Sequence, residues 1–443
     1  MFSRKQMIKL LAPLIAEQIM AVLVGMVDVV MVAAVGESAV SGVSLVDSIS
    51  VLIIQIMGAL ATGGAVISAQ YLGKEQPRDA RKAAGQLVLV TLLLSVIIAG
   101  TALAGGRHLL GGIFGKVEQD VMDNAQTYFW ITALSYPFIG LYNACAALFR
   151  SMGNSKVSMM TSFVMNMINI IGNAICVFGL KMGVAGVAWP TLISRVTAAF
   201  MMFVLIQNRN NTIRLNSWKF LIPDRHMIKN ILSIGIPNGL ENGMFQIGKL
   251  LVAGLITTFG TSAIAANAIC NNVGSMSNIP GSAIGLAMIT VVGQCVGAKD
   301  YQQARHYTKT LLAAAYVSMG LLNIALFLLA PYLVGFYAMP QTTTDLALSV
   351  LQVNCVVTVL IWPSSFTLPN ALRAAGDARF TMVTSMVSMW VFRIGMSYVL
   401  GAWLGMGLFG VWTAMQIDWA VRSLVFGVRF LGHKWEKARV LEG

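Results

Sequence analysis

Asp28 stands inside MAVLVGMVDVVMVAAVG, residues 20–36, a run otherwise made of methionine, valine, alanine, leucine and glycine. An acid at the centre of a spanning helix costs about 2.5–3.5 kcal/mol on insertion scales, a cost that binding a proton or a small cation relieves. Glu17 lies eleven residues earlier, close to three helical turns, so a helix puts both carboxylates on one face about 16 Å apart. Further along are Asn166, Asn169 and Asn173, the last two spaced i, i+4 on one helix face. A carboxylate beside two carboxamides in a dry helical lobe is a candidate proton or sodium site, since each group offers oxygen acceptors. The structural alternative is an Asp28 satisfied by Asn or Thr in a packed interior. A second polar group, Asn238, Glu241, Asn242, Gln246 and Lys249, interrupts the apolar stretch 229–257. Here Glu241 is a secondary candidate for cation or substrate, and Lys249 is either its partner or an internal charge displaced by an incoming cation. Asp418 and Arg422, i, i+4 with the acid first, read as a helix ion pair. Arg195 and Arg393 must be paired or hydrogen-bonded inside bundles, because lipid exposure is costly.

The elements that carry these residues are transmembrane. The 443-residue chain is 57% hydrophobic and only 11% charged, with a mean hydropathy of +0.75. A soluble protein carries roughly 25% charged residues. Apolar segments fall near 8–35, 43–72, 83–105, 121–148, 157–180 and 183–207, then near 229–257, 265–296, 306–330, 346–372, 380–403 and 405–430. Each is long enough to cross a hydrocarbon core of roughly 30 Å as a helix. Of the 30 lysines and arginines, 24 fall at the N-terminus, in the even-to-odd loops or at the C-terminus; Arg107, Lys116 and Lys181 fall in the opposite loops, and Arg195, Lys249 and Arg393 inside spans. That positive-inside bias puts both termini in the cytoplasm and accounts for the net charge of +13 without nucleic acid. The apolar N-terminal region continues to Val35 with no evident cleavage site, so it reads as a retained first span. Cys145, Cys176, Cys270, Cys295 and Cys355 read as packing residues, with neither disulfide nor metal spacing.

The chain is also a duplication. A shift of 224 residues puts Pro13 on Pro237, Glu17 on Glu241 and Gly36 on Gly260, and QYLGKEQPRDAR on QCVGAKDYQQAR. ALFRSMGNSK (147–156) meets ALRAAGDAR (371–379) at a shift of 223, and Gly183 and Gly186 meet Gly407 and Gly410 at 224 again. Six spans per copy make the repeats parallel, related by an axis along the membrane normal. The expected organisation is an N-terminal lobe 1–206, a cytoplasmic linker 207–228, a C-terminal lobe 229–430 and a cytoplasmic tail 431–443, with a cavity between two six-helix lobes. Glu17 and Glu241, being equivalent, suggest a shared structural role such as binding backbone freed by Pro13 and Pro237.

MVDVVMVAAVG in span 1, the duplicated Gln-x-x-Gly…Ala-Arg after spans 2 and 8, and Arg-x-x-Gly-(Asn/Asp) after spans 4 and 10 resemble the multidrug and toxic compound extrusion (MATE) family. GIPNGLENGMFQIGKLL (235–251) and QIDWAVRSLVFGVRF (416–430) add to a likeness that covers the whole chain. It implies a monomeric, all-α antiporter of twelve helices in the bacterial cell membrane. Such a carrier exports small organic cations or amphiphilic drugs by alternating access, with no cofactor beyond the coupling ion. The cation site implied by the resemblance falls on Asp28, Asn169, Asn173 and Thr191. Many relatives carry a second aspartate where this chain has Asn173, which favours H+ over Na+. Span 10 has no acid, which puts a second-lobe sodium site in doubt and leaves Glu17, Glu241, Asn242, Gln246 and Lys249 as secondary candidates. The rivals are a major-facilitator carrier, whose loop motif is missing from GKEQPRDARK, and a lipid-linked sugar flippase. An enzyme is disfavoured: HExxH and GxSxG do not occur, and His108, His226, His306 and His433 lie in loops or at helix ends.

Overall fold

The computed structural model describes residues 2–115 and 118–438, and among them it is all-helical. Lys116 and the tail beyond residue 438 lie outside the described residues. The first six spans are Arg4–Ala33, Glu37–Gly73, Pro77–Phe114, the pair Gln119–Leu134 and Tyr136–Ser151, Ser155–Ala174 with its continuation Ile175–Gly179, and Ala185–Ile206. The next three are Arg225–Thr257, the pair Thr261–Ser277 and Ile279–Gly297, and Tyr301–Gly335. Span 10 runs Gln341–Trp362 through Pro363–Thr367 into Leu368–Ala374; span 11 begins at Ala378–Ser388 and ends at Tyr398–Trp403; span 12 is Gly407–Leu431. Nine of the described helices are long and apolar enough to cross a membrane, and the bent pair of span 4, angled by 46°, makes ten. Spans 7 and 12 complete the twelve; polar side chains run through their middles.

The helices outrun the apolar segments that mark them, because polar turns extend into water at both ends. Pro77–Phe114, for example, exceeds its apolar segment by six residues at the start and nine at the end. Arg422 belongs to the middle of span 12, where it is 2% exposed, and not to the basic cytoplasmic end with which its position groups it. The chain therefore buries or half-buries charge in span 12 as well as in spans 6, 7 and 11.

The duplicated glycine motifs have a backbone cause. After span 2 the turn puts Glu75 at φ 58°, and after span 8 Lys299 at φ 60°. Each turn is closed by equivalent bonds, Gln76 N–H to Tyr71 C=O and Asp300 N–H to Cys295 C=O, both 3.0 Å. After span 4 Gly153 has φ 79°, and after span 10 Gly376 has φ 101°. Gly153 N–H reaches Arg150 C=O (2.8 Å) and Gly376 N–H reaches Arg373 C=O (2.9 Å). After spans 4 and 10 the left-handed position falls on the motif glycine, where it costs nothing, so the repeat keeps it there; after spans 2 and 8 it falls on Glu75 and Lys299 and not on Gly73 or Gly297.

The chain divides into two compact units, Ser3–Gly239 and the residues from Leu240 onward joined by Phe2. Within the first, the linker is strapped to span 3. Gln86 Nε2 donates to Phe220 C=O (2.9 Å) and Ile222 C=O (2.8 Å), and its Oε1 accepts from Asp224 N–H (3.0 Å). Lys82 pairs with Asp224 at 2.6 Å, and a Cβ on Gly85 would collide with the Phe220 carbonyl. Asp224 also caps span 7, accepting from His226 N–H (2.9 Å) and Met227 N–H (3.2 Å). The divide thus falls inside span 7, two residues after Pro237.

Candidate functional site

Span 1 and span 5 pack along their lengths, which brings the Asn169–Asn173 face of span 5 onto Asp28. Asn173 Nδ2 donates to Asp28 Oδ1 at 3.0 Å and to Asn169 Oδ1 at 3.3 Å. Asn169 Nδ2 donates to Thr191 Oγ1 at 3.0 Å, and Thr191 passes its own proton to the Val187 carbonyl at 2.9 Å. The four residues thus form one chain of hydrogen bonds across spans 1, 5 and 6. Asn173 is fully buried and Asn169 nearly so, yet Asn173 Oδ1 has no partner among the described residues. A buried acceptor left empty is costly and asks for a donor or a cation. The oxygens of Asp28, Asn169, Asn173 and Thr191 are of the kind a proton or a small hard cation takes.

Two charged residues complete the cluster. Asp47 of span 2 and Arg195 of span 6 lie close enough to act electrostatically on Asp28. Asp47 Oδ1 accepts from Tyr128 Oη at 3.3 Å, and Arg195 Nη1 donates to Ser135 Oγ at 2.7 Å, at the kink of span 4. Asp47 is the member that sequence reasoning missed. Its signal was present, an acid inside the apolar segment 43–72, but only the packing of span 2 associates it with Asp28.

Glu17 is not part of this cluster. Its Oε2 accepts from Ser158 Oγ at 2.6 Å, and its Oε1 lies 3.5 Å from Tyr142 Oη and 3.8 Å from Arg150 Nη1. Its equivalent Glu241 binds Arg373 Nη2 at 2.7 Å. Arg150 and Arg373 are themselves equivalent at a shift of 223, so the duplicated motif arginine is the clamp for the duplicated glutamate. The expected role for the glutamates in holding proline-freed backbone is thereby corrected. At Pro13 that task falls to Ser155, whose Oγ reaches the carbonyls of Leu10 (2.6 Å) and Lys9 (3.5 Å). Lys249 is not the partner of Glu241 either; its Nζ stands 5.8 Å from the Phe245 ring centre. Asn242 and Gln246 are half-buried and make no side-chain hydrogen bond among the described residues. Asp418 and Arg422 pair at 3.3 Å, and both are buried.

The MatE family model matches this chain twice, over residues 13–175 and again over 235–399, in step with the repeat. The chain belongs to the MatE family. It is therefore a multi-span membrane transporter of a multidrug-efflux family, not an enzyme. Among MatE relatives, an uncharacterized transporter of Bacillus subtilis, YisQ, is 26% identical over 434 residues, covering 96% of this chain and 93% of the relative. A probable multidrug resistance protein NorM of Thermotoga maritima is 26% identical over 444 residues, covering 99% and 94%. The fold is similar to a crystal structure of a MATE protein in a bent conformation, with TM-score 0.88 at 21% identity over 99% of this chain and 95% of that one. A MOP superfamily transporter from Pyrococcus furiosus Vc1 matches equally, with TM-score 0.88 at 21% identity over 98% and 95%. At that identity the likeness shows the MatE fold alone.

Proposed function

We propose that the chain is a cation-coupled antiporter that exports amphiphilic organic compounds from a bacterial cell by alternating access. The observation that supports this reading is the hydrogen-bonded chain Asp28–Asn173–Asn169–Thr191, in which the side-chain oxygen of buried Asn173 has no partner among the described residues. Asp28 and Asp47 carry two negative charges against the one positive charge of Arg195, so a single bound proton or sodium ion balances the cluster. Binding that ion changes which hydrogen bonds Asp28 makes. A ligand shifts a conformational equilibrium only through different affinity for its two states, and a charge that comes and goes supplies such a difference. H+ suits the site better than Na+, because Asn173 supplies an amide where a second anionic ligand would hold sodium. The Thermotoga maritima relative, described as a probable multidrug resistance protein, supports drug-like amphiphiles as cargo. The basic loops support cytoplasmic termini, with residues 207–228 as the cytoplasmic connection between lobes 1–206 and 229–430.

The test is dye export from proteoliposomes under an imposed proton or sodium gradient. Asp28→Asn should insert and fold as the parent does, yet lose gradient-driven export, while Asp28→Glu should retain part of it. Wild-type export by Asp28→Asn under a proton gradient would move coupling away from this cluster. Orientation is read separately: cysteines at Ser38 and Ser217, in a cysteine-free background, should react from opposite sides of intact cells.

A further inference from the structure

The second unit carries an excess of positive charge within its spans that the export reading does not use. Four of its arginines are matched with acids: Arg373 with Glu241, Arg429 with Asp377, Arg422 with Asp418, and Arg305 at the start of span 9 with Glu436. Arg393 and Lys249 are left over. Arg393 is 8% exposed, and its Nε and Nη1 have no hydrogen-bond partner among the described residues. Asp418, the one acid among the described residues that acts on Arg393, is already shared with Arg422 and with Ser388 Oγ. All three cations gather on one aromatic ring: Arg393 Cζ lies 4.9 Å, Lys249 Nζ 5.8 Å and Arg422 Cζ 5.9 Å from the centre of Phe245. Arg422 also stands 5.2 Å from the centre of Phe366, which stacks on Trp362 at 5.0 Å. A cation–π contact returns less than the desolvation of a guanidinium costs, so the rings do not balance this charge. Lys249, by contrast, is exposed at the surface of the unit, which gives the cluster an open side.

Two further observations point to a ligand. Arg393 sits in the π-helical segment Met389–Gly395, an irregularity that recurs at functional sites. None of the three cations is part of the duplicated scaffold either: Lys249 faces Gly25 in the repeat, Arg422 faces Ala198, and Arg393 faces Ile170.

We propose that Lys249, Arg393 and Arg422, gathered on Phe245, form an anion-binding site for the carboxylate of an amphiphilic aromatic solute. The unpartnered guanidinium N–H groups of Arg393 supply charge-assisted donors for a carboxylate. Phe245, Phe366 and Trp362 supply the apolar surface for the rest of the molecule. The proposal rests on the export reading for its cargo and narrows that cargo toward solutes that carry a negative charge.

The probes are fluorescein and rhodamine 6G, two xanthene dyes of opposite charge, with binding to the purified full chain in phosphatidylcholine nanodiscs read by fluorescence anisotropy. Wild type should bind fluorescein, and both Arg393→Met and Lys249→Met should weaken it by about tenfold or more, the scale of a lost charge-assisted contact, while rhodamine 6G changes less than twofold. Arg393→Met should also match or exceed the parent in thermal stability without dye, because it removes an uncompensated buried charge. Lys249→Glu, at an exposed position that tolerates the change, should exchange the preference between the dyes. Absence of fluorescein binding, or equal binding by wild type and both methionine variants, overturns the site. So does loss of fluorescein on adding phosphatidylglycerol that excess benzoate does not reproduce, since that outcome assigns the cluster to a lipid headgroup. Failure here leaves gradient-driven export of rhodamine 6G, and its dependence on Asp28, as an independent result.

Discussion

The duplicated glutamate–arginine clamp makes a quantitative comparison possible inside one chain. Glu241 and Arg373 meet at 2.7 Å with side chains 9% and 11% exposed, while Glu17 and Arg150 stand 3.8 Å apart at 12% and 17%. At an effective dielectric constant of about 20 the gross attraction is about 6 kcal/mol for the first pair and about 4 kcal/mol for the second, before desolvation. Removal of one partner leaves the other charge buried, which costs about 3–5 kcal/mol for a well-buried pair. Arg373 without Glu241 retains Asn370 as an acceptor at 3.0 Å but has a buried Nε with none. Glu241→Gln should therefore destabilise the protein by about 3 kcal/mol. Glu17→Gln should cost about 1–2 kcal/mol, chiefly through the strong hydrogen bond from Ser158. The double variant Glu241→Leu/Arg373→Met, with neither charge, should recover most of the single-variant loss. Unfolding in mixed detergent micelles, followed by tryptophan fluorescence, measures all three. Equal costs at the two glutamates, or a double variant less stable than Glu241→Gln, would refute the clamp as a buried ion pair.

Asn173→Asp adds a second carboxylate beside Asp28 and should raise the dependence of dye export on an inward sodium gradient, compared directly with an equal proton gradient. Asp47→Asn leaves Arg195 to balance Asp28 alone, so proton release on adding substrate to the detergent-solubilised protein should fall from the wild-type value toward zero. Asp224 is held below the usual carboxylate range, first by the hydrogen bond from Lys82 and then by that from Met227 N–H. A depressed folded-state value means that its contribution is complete above the unfolded value, near pH 4, and is lost as pH falls through the folded one. Asp224→Asn should thus cost no more than about 1 kcal/mol at pH 7 and flatten this part of the acid-side decline, measured as melting temperature against pH. A Cβ on Gly63 would come within 2.5 Å of the Ile231 carbonyl, a backbone atom that cannot swing away, so Gly63→Val should yield little folded protein in detergent extracts.

Much of this fold is legible in the sequence because its causes are local. Span length follows from hydrocarbon thickness, and the repeated glycines mark turns that need left-handed backbone at equivalent positions. Asp28, Asn169 and Asn173 are readable as a group because i, i+4 spacing fixes two of them on one face and an acid among apolar residues announces the third. Residues whose role depends on which helices touch are not legible in that way. Arg150 and Arg373 are visible as motif residues, but their pairing with Glu17 and Glu241 needs spans 1 and 7 to lie against the ends of spans 4 and 10. Asp47 and Asp28 are nineteen residues apart on different helices. Lys249, eight residues after Glu241 on the same helix, has the spacing of a same-face neighbour, yet Arg373 from another helix takes the carboxylate.

Conservation between the two copies separates what the scaffold needs from what transport needs. Where the copies keep these residues, the structure gives them equivalent partners: Gly153 and Gly376 close the same turn, and Arg150 and Arg373 face the equivalent glutamates, at 3.8 and 2.7 Å. Where they diverge inside the bundle, the sign of the charge changes. The first unit gathers Asp28 and Asp47 with Arg195, and the second gathers Lys249, Arg393 and Arg422 on Phe245, with Asp418 beside the two arginines. A buried charge without a partner is selected against unless something binds it. Duplication supplied the turns and clamps twice, and divergence then left each copy an excess of opposite sign. On the proposed reading, an exporter that exchanges a cation for an organic solute uses two kinds of site, and unequal copies of one six-helix unit are a direct way to build them.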